Sequence, residues 1–270
     1  MPMFDIPAGS GSIHVVDLRE ESPEPSGALP IVFLHGMVGH TGFWNTTLAA
    51  CADRRRAVAI DLRGHGNSTA PADGDYAVER CADDVVAVFD ALGLETVVLV
   101  GHSYGAFVAI DVAARRPTAV RRLVLVDSPG DLTRAPDRMR DEQLLPYLAA
   151  LESDGWRRAV DLTFDQALHG GTSGSAAAIH ARVATMPQVA YVSMFRSMMT
   201  YPASASLAHY LATPGTSARA IVAPPNAWDF SLHVLVPDLR HVVVPNVGHW
   251  IMLDAPDRFL AALDDAVRGI

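Results

Sequence analysis

Short apolar, β-branched runs alternate with longer amphipathic stretches along most of this chain, and that alternation limits the fold more than any other feature. "IHVVDL" (13–18), "IVFLHG" (31–36), "RAVAIDLRG" (56–64), "TVVLVG" (96–101) and "RRLVLVDS" (121–128) read as strands. Between them, "YAVERCADDVVAVFDALG" (76–93) puts Val78, Cys81, Val85, Val88, Phe89 and Leu92 on one helical face and stops at Gly93. "AFVAIDVAARR" forms a second helical pattern, ended by Pro117. Strands that are apolar on both faces must be covered on both faces, so the order predicts an α/β fold: a mostly parallel sheet with helices on both sides. From 130 to 213 no such strand occurs; the pattern is helical, broken at Pro146, Gly155, "HGGTSGS" (169–175), Pro187 and Pro202. The alternation resumes with "ARAIVAP" (218–224), a helical stretch over 227–236, a buried strand in "RHVVVPN" (240–246) and a last helix over 255–268. The expected organisation is one core domain built from 1–129 and 214–270, with 130–213 inserted as a helical cap, a stretch too long for an ordinary loop.

Charge and cysteine usage narrow the partners. The 21 basic and 30 acidic residues leave a net charge of −9, which disfavours nucleic acid and anionic membranes. Two isolated cysteines, Cys51 and Cys81, show no metal or redox spacing and read as buried thiols in a reducing compartment. The first residues carry no basic head or apolar signal core, and no run is long enough to span a bilayer. A cytoplasmic protein acting on a small molecule, without metal or other cofactor, is the expectation; the oligomeric state is not readable.

The stretch "LVGHSYGAFV" holds a polar residue where an apolar strand turns into a helix. Ser103, flanked by Gly101 and Gly105, sits in a G-x-S-x-G pattern with a strand before it and a helix after it. Such a bend pushes the hydroxyl above the carboxyl edge of the sheet, and the helix N-terminus supplies free N–H groups for a developing oxyanion. A serine needs a base. His249, in "VVVPNVGHWIML", follows the last strand and a glycine and should reach the same edge. His35, His65 and His102 also lie in turns near that edge; His102 should point away from Ser103, and His35 suits backbone positioning.

Four pieces in chain order, "HGMVG" (35–39), "DLRGHGNS" (61–68), "GHSYGA" (101–106) and "NVGHW" (246–250), resemble the α/β-hydrolase fold family, in a serine esterase or lactonase branch with a helical cap. The resemblance implies a serine–histidine–acid triad and an oxyanion hole from the backbone N–H groups of Met37 and Tyr104. Asp61 and Arg63 then organise a loop and carry no chemistry. Serine at the nucleophile position argues against the branches that use aspartate there.

The acid departs from the family pattern. Its usual place after the post-cap strand falls near Asn226 in "IVAPPNAWDF", and an amide cannot balance an imidazolium. Two carboxylates remain open: Asp127, at the end of the strand before the cap, as in some members of the family, and Asp229, three residues past Asn226. Asp127 is preferred. Methionines and aromatics in the cap suit an adaptable apolar surface; Met194 and Met198, with Val38 and Trp250 from the core, are candidates to line a pocket.

The expected activity is hydrolysis of a carboxylic ester or lactone of a moderately apolar small molecule through an acyl-enzyme. Two alternatives stay open at this point. One is a carbon–carbon bond hydrolase or cofactor-independent dioxygenase of the same fold; such dioxygenases also pair a histidine with an acid after the strand before the cap. The other is a slow-turnover ligand receptor.

Overall fold

The computed structural model describes residues 2–9, 11–18, 28–224 and 228–269. Its strands form one eight-stranded sheet in the order β1-β2-β4-β3-β5-β6-β7-β8. These are β1 (Met3–Ala8), β2 (Gly11–Asp17), β3 (Ile31–Leu34), β4 (Ala57–Ile60), β5 (Val97–His102), β6 (Val120–Val126), β7 (Ala218–Val222) and β8 (Arg240–Val243). All pairings from β4 through β8 are parallel, while β1 and β2 form an antiparallel hairpin on one edge. Every residue of β3, β4 and β5 is buried, as expected of runs such as "IVFL" and "VVLV" that offer no polar face.

Two features differ from the sequence reading. The final strand was expected to be buried, yet all four residues of β8 are exposed. It is the edge of the sheet and pairs only with β7, so its valines lack a neighbouring strand. The expected helix over 227–236 contracts to a single turn, Leu232–Leu235. Asn226 lies outside the described residues.

Helices α1 (Asn45–Ala52), α2 (Val78–Leu92) and α3 (Tyr104–Arg115) connect the first parallel strands. A short helix at Asp137–Met139, α4, runs through one π turn into α5 (Leu145–Glu152). There follow α6 (Trp156–Ala167), α7 (Ser173–Val183), α8 (Gln188–Thr200) and α9 (Ala203–Leu211), all between β6 and β7. Helix α2 has no capping side chain of its own. Residues of α8 meet its first turn instead: Ser197 Oγ accepts the orphan Val78 N–H, and Ser193 Oγ accepts Tyr76 N–H just before the helix, both at 2.9 Å. Asp131 fastens the start of α9, accepting from Ser204 N–H at 2.8 Å and Ser204 Oγ at 2.6 Å. Tyr201 donates to Asp111 Oδ1 on α3 at 3.2 Å. The inserted helices are thus joined to the sheet-covering helices by polar contacts as well as by apolar packing. Between β7 and β8, α10 is the turn at Leu232–Leu235 already noted, and beyond β8, α11 (Ile251–Asp254) and α12 (Pro256–Ala266) close the chain. Cys51 and Cys81 are buried free thiols.

Candidate active site

Strand register brings the candidate residues together. His102 pairs with Val126 across β5 and β6, so the next residues, Ser103 and Asp127, leave adjacent strands side by side. Leu34 pairs with Gly101, which sets the loop after β3 on the other flank of Ser103. Backbone bonds hold these ends: Ser103 N–H donates to Val126 O at 2.9 Å and Asp127 N–H to Ile221 O at 2.8 Å.

Ser103 has φ 53° and ψ −120°, and α3 begins at the next residue. That conformation costs an L-residue on the order of 1–3 kcal/mol and is tolerated where surrounding structure forces it. The glycines permit it. A Cβ on Gly101 would stand 2.3 Å from Gly105 O, one on Gly105 2.4 Å from His35 O, and one on Gly36 2.7 Å from Ser103 Cβ. Among the described residues the non-glycines with positive φ are Val38 (57°), Ser103 (53°), Asp127 (45°) and Asn246 (53°). Each sits in a different loop at the carboxyl edge, after β3, β5, β6 and β8. For β-branched Val38 this conformation is a true outlier. Strain confined to these four loops is a signature of a site whose geometry takes precedence over local stability.

His249 meets Asp127. Its Nδ1 lies 2.6 Å from Asp127 Oδ2, and Ala223 N–H, just past β7, donates to Asp127 Oδ1 at 2.7 Å. With a carboxylate on Nδ1, that nitrogen carries the proton and Nε2 is left as the basic atom. Asp127 is almost fully buried and Ser103 and His249 are partly exposed, while the rival Asp229 is exposed. No hydrogen bond joins Ser103 Oγ to His249 among the described residues. Such contacts are commonly long without substrate and tighten in the reactive complex. The N–H groups of Met37 and Tyr104 likewise take no acceptor within the chain among the described residues.

The neighbouring histidines are accounted for by structure. His35 donates from Nδ1 to Gly36 O at 2.8 Å and accepts Leu62 N–H at Nε2 at 3.0 Å, tying the loop after β3 to the loop after β4. Burial pushes its imidazole down to about 3 and does the same to His65. His102 is also driven well below the usual range by burial, with His249 adding to the effect. Its role was missed from sequence: Nε2 lies 3.0 Å from His249 O, and the two rings are 4.7 Å apart. A histidine preceding Ser103 gives no sign that it will reach a carbonyl nearly 150 residues away.

Hydrogen bonds through His249 N–H and Asp254 tie the His249 loop to the inserted helices. His249 N–H donates to Ala167 O at 3.1 Å. Asp254 accepts from Gly248 N–H and from Thr172 N–H, each at 2.9 Å, and from the Ser175 hydroxyl. Val38, Met194, Met198 and Trp250 are all buried. Of these, Trp250 touches the site directly: its ring packs edge-on against His249 at 5.0 Å and stacks on Phe164 of α6 at 5.9 Å. Among the described residues there is no cluster of His, Cys, Asp and Glu able to hold a metal ion, and no helix is long and apolar enough to cross a membrane.

The family model described as "Alpha/beta hydrolase family" matches residues 31–262. Among known relatives, 2-hydroxymuconate semialdehyde hydrolase of Pseudomonas sp. (strain CF600) is 37% identical over 121 residues, 44% of this chain and 43% of that protein. The chain therefore aligns with less than half the length of the first relatives it matches. The 2-(acetamidomethylene)succinate hydrolase of Mesorhizobium japonicum is 27% identical over 98% of this chain and 99% of its own. Among solved structures, a thermophilic esterase from Thermogutta terrifontis superposes with a TM-score of 0.75 at 20% identity, covering 99% of this chain and 98% of the other. AqDC, described as recognising and ring-cleaving the Pseudomonas quinolone signal, superposes with a TM-score of 0.79 at 19% identity over 100% of both chains. These structural likenesses speak for the fold. With the sheet order, the strained serine bend and the matching family model taken together, the chain belongs to the α/β-hydrolase family.

Proposed function

We propose that this hydrolase cleaves a carboxylic ester or lactone of a moderately apolar small molecule through an acyl-enzyme, with Ser103 as nucleophile, His249 as base and Asp127 as the acid. The observation that carries the reading is the 2.6 Å contact between His249 Nδ1 and Asp127 Oδ2, formed at the same sheet edge as the strained serine. It leaves Nε2 free to take the hydroxyl proton as Ser103 attacks the carbonyl and later to return one to the leaving alcohol. Asp127 holds the tautomer and balances the imidazolium. The N–H of Tyr104, first residue of α3, and that of Met37 receive the oxyanion, each worth about 3 kcal/mol of transition-state stabilisation. Water then releases the acid by the reverse path. Residues 130–213 act as the cap over this edge, with Val38, Met194, Met198 and Trp250 lining the substrate's apolar part.

A fluorophosphonate probe tests the chemistry: the wild type should label at Ser103 and the Ser103→Ala variant should not. A second reading is favoured by the unbonded Ser103 hydroxyl beside a complete His249–Asp127 pair. In it the pair deprotonates a substrate directly, as a cofactor-independent ring-cleaving enzyme requires. Turnover that persists in Ser103→Ala but vanishes in a His249→Ala variant would select it.

A further inference from the structure

Many arginines of this acidic chain find a carboxylate. Arg56 lies 2.6 Å from Asp17, Arg63 2.7 Å from Asp84 and Arg116 2.6 Å from Asp90. One corner of the fold breaks this pattern. A cavity of about 400 Å³ opens between the first residues of β6, β7 and β8 and the end of α12, and Arg122, Arg219, Arg240 and Arg268 all line it. Among the described residues, the single carboxylate on its wall is Asp265, which lies 3.4 Å from Arg268 in an exposed pair.

Strand register gathers the cluster. Arg219 is the direct partner of Arg240, so their Cα atoms stand about 4.8 Å apart. Val124 pairs with Arg219, and Arg122 comes two residues before Val124, so all three side chains leave the same face of the sheet. Arg122 is fixed in place: Nε donates to Ser217 Oγ at 3.0 Å and Nη1 to Ala266 O at 2.6 Å. The carbonyl end of α12 thus accounts for Arg122, and for it alone. Arg219 donates only to Ala218 O, and Arg240 makes no side-chain hydrogen bond among the described residues. Neither has an ion pair among those residues. Burial, with the charges of Arg219 and Arg121 nearby, works against the protonated form of Arg122. Like charges side by side on neighbouring strands destabilise a sheet. The fold nevertheless keeps three of them around a space that the small side chains of Ala262 and Ala266 leave open on the helix side.

We propose that this cavity binds a small soluble molecule through a diphosphate group, at the edge of the sheet opposite Ser103. Each phosphate presents several acceptor oxygens in a tetrahedral array, so guanidiniums arriving from three strands share it, whereas a planar carboxylate serves one fork. Four arginines against one aspartate leave an excess of positive charge that a single carboxylate or chloride does not balance. The strand from Arg122 to Asp127 is about 16 Å long, so the bound group does not touch the candidate active site, and the proposal does not depend on the reaction catalysed there.

Calorimetric titration with inorganic pyrophosphate at fixed ionic strength tests this. The wild type should bind one equivalent with a Kd below about 1 mM. The double variant Arg219→Gln, Arg240→Gln should bind at least tenfold more weakly, and Arg219→Lys, Arg240→Lys should keep part of the affinity. Arg138→Gln, at an exposed arginine outside the cavity, should bind as the wild type does. Citrate, an anion of similar charge with planar acceptor groups, should bind at least tenfold more weakly than pyrophosphate. Absence of binding, undiminished binding in the double Gln variant, an equal loss in Arg138→Gln or equal affinity for citrate each overturns the proposal. Thermal melts give a second readout. Without ligand and at low salt, the double Gln variant should melt above the wild type because it relieves repulsion, and pyrophosphate should cancel that advantage by raising the wild type alone. A double Gln variant that melts at or below the wild type without ligand, or equal pyrophosphate shifts in both proteins, also overturns it.

Discussion

Replacing Asp127 with asparagine tests the site most sharply, because the surroundings of the carboxylate dictate what the amide must do. One oxygen faces His249 Nδ1 at 2.6 Å and the other accepts Ala223 N–H at 2.7 Å. An amide has one acceptor and one donor end. If its oxygen keeps Ala223, its NH₂ faces the imidazole and forces Nδ1 to accept, which puts the proton on Nε2, where the base should be empty. If its oxygen faces His249, the NH₂ opposes Ala223 N–H, leaving a buried donor unmet at about 1–3 kcal/mol. The first orientation wins, and with it the wrong tautomer. The backbone itself tolerates the change, since asparagine accepts the left-handed φ of 45° found at 127. The same exchange in the best-studied serine protease costs ~10⁴ in rate, about 5 kcal/mol of barrier. The Asp127→Asn variant should therefore fold, melt within a few degrees of the wild type and lose about three to four orders of magnitude in kcat/KM on short-chain p-nitrophenyl esters. Asp229→Asn, at an exposed position, should stay within about twofold. A folded Asp127→Asn variant with more than a tenth of wild-type activity, or a larger loss in Asp229→Asn, would refute the assignment of the acid.

Other outcomes follow from the packing around the site. Gly105→Ala would set a Cβ 2.4 Å from His35 O, a backbone atom that cannot move cheaply, so it should destabilise by about 1–3 kcal/mol or more, read as a lower urea midpoint. Stability should fall as pH drops below about 6.5: His35 and His65 titrate near 3 when folded and His102 well below its usual value, so the unfolded chain binds protons the folded one refuses. Each should remove on the order of 1 kcal/mol per pH unit in that window, and urea melts that superimpose from pH 7 to pH 5 would contradict it. Asp254→Ala should lower kcat by up to ~10² through misplacement of His249, with little loss of fold, measured by steady-state kinetics beside circular dichroism.

The fold was legible because the strands near the sheet's centre are apolar on both faces and the helices between them are amphipathic. The bend at Ser103 was legible because glycines stand where strand and helix backbones must touch. Other features leave no local mark. β1, "MFDIPA", has a proline and an acidic residue, and only its pairing with β2 makes it a strand. "RHVVVPN" reads as buried because its valines match those of central strands; nothing local says that no ninth strand will follow. The positive φ of Val38 contradicts that residue's preference and is imposed by the turn around it. Asp254 looks like an ordinary charge on a helical surface. Its meaning depends on which loop the inserted helices come to rest against, a long-range fact.

Ala167 and Asp254 bind the inserted helices to the imidazole's own loop, so neither part can move alone. Any swing of residues 167–175 away from the sheet edge would break the His249 N–H bond to Ala167 O and the Thr172 N–H bond to Asp254 together. A gaping molecule would thus be a disarmed one. Under the proposed mechanism, admission of a reactant and readiness of the proton acceptor become a single mechanical event, and stray water entering from an opened edge meets Ser103 without its helper.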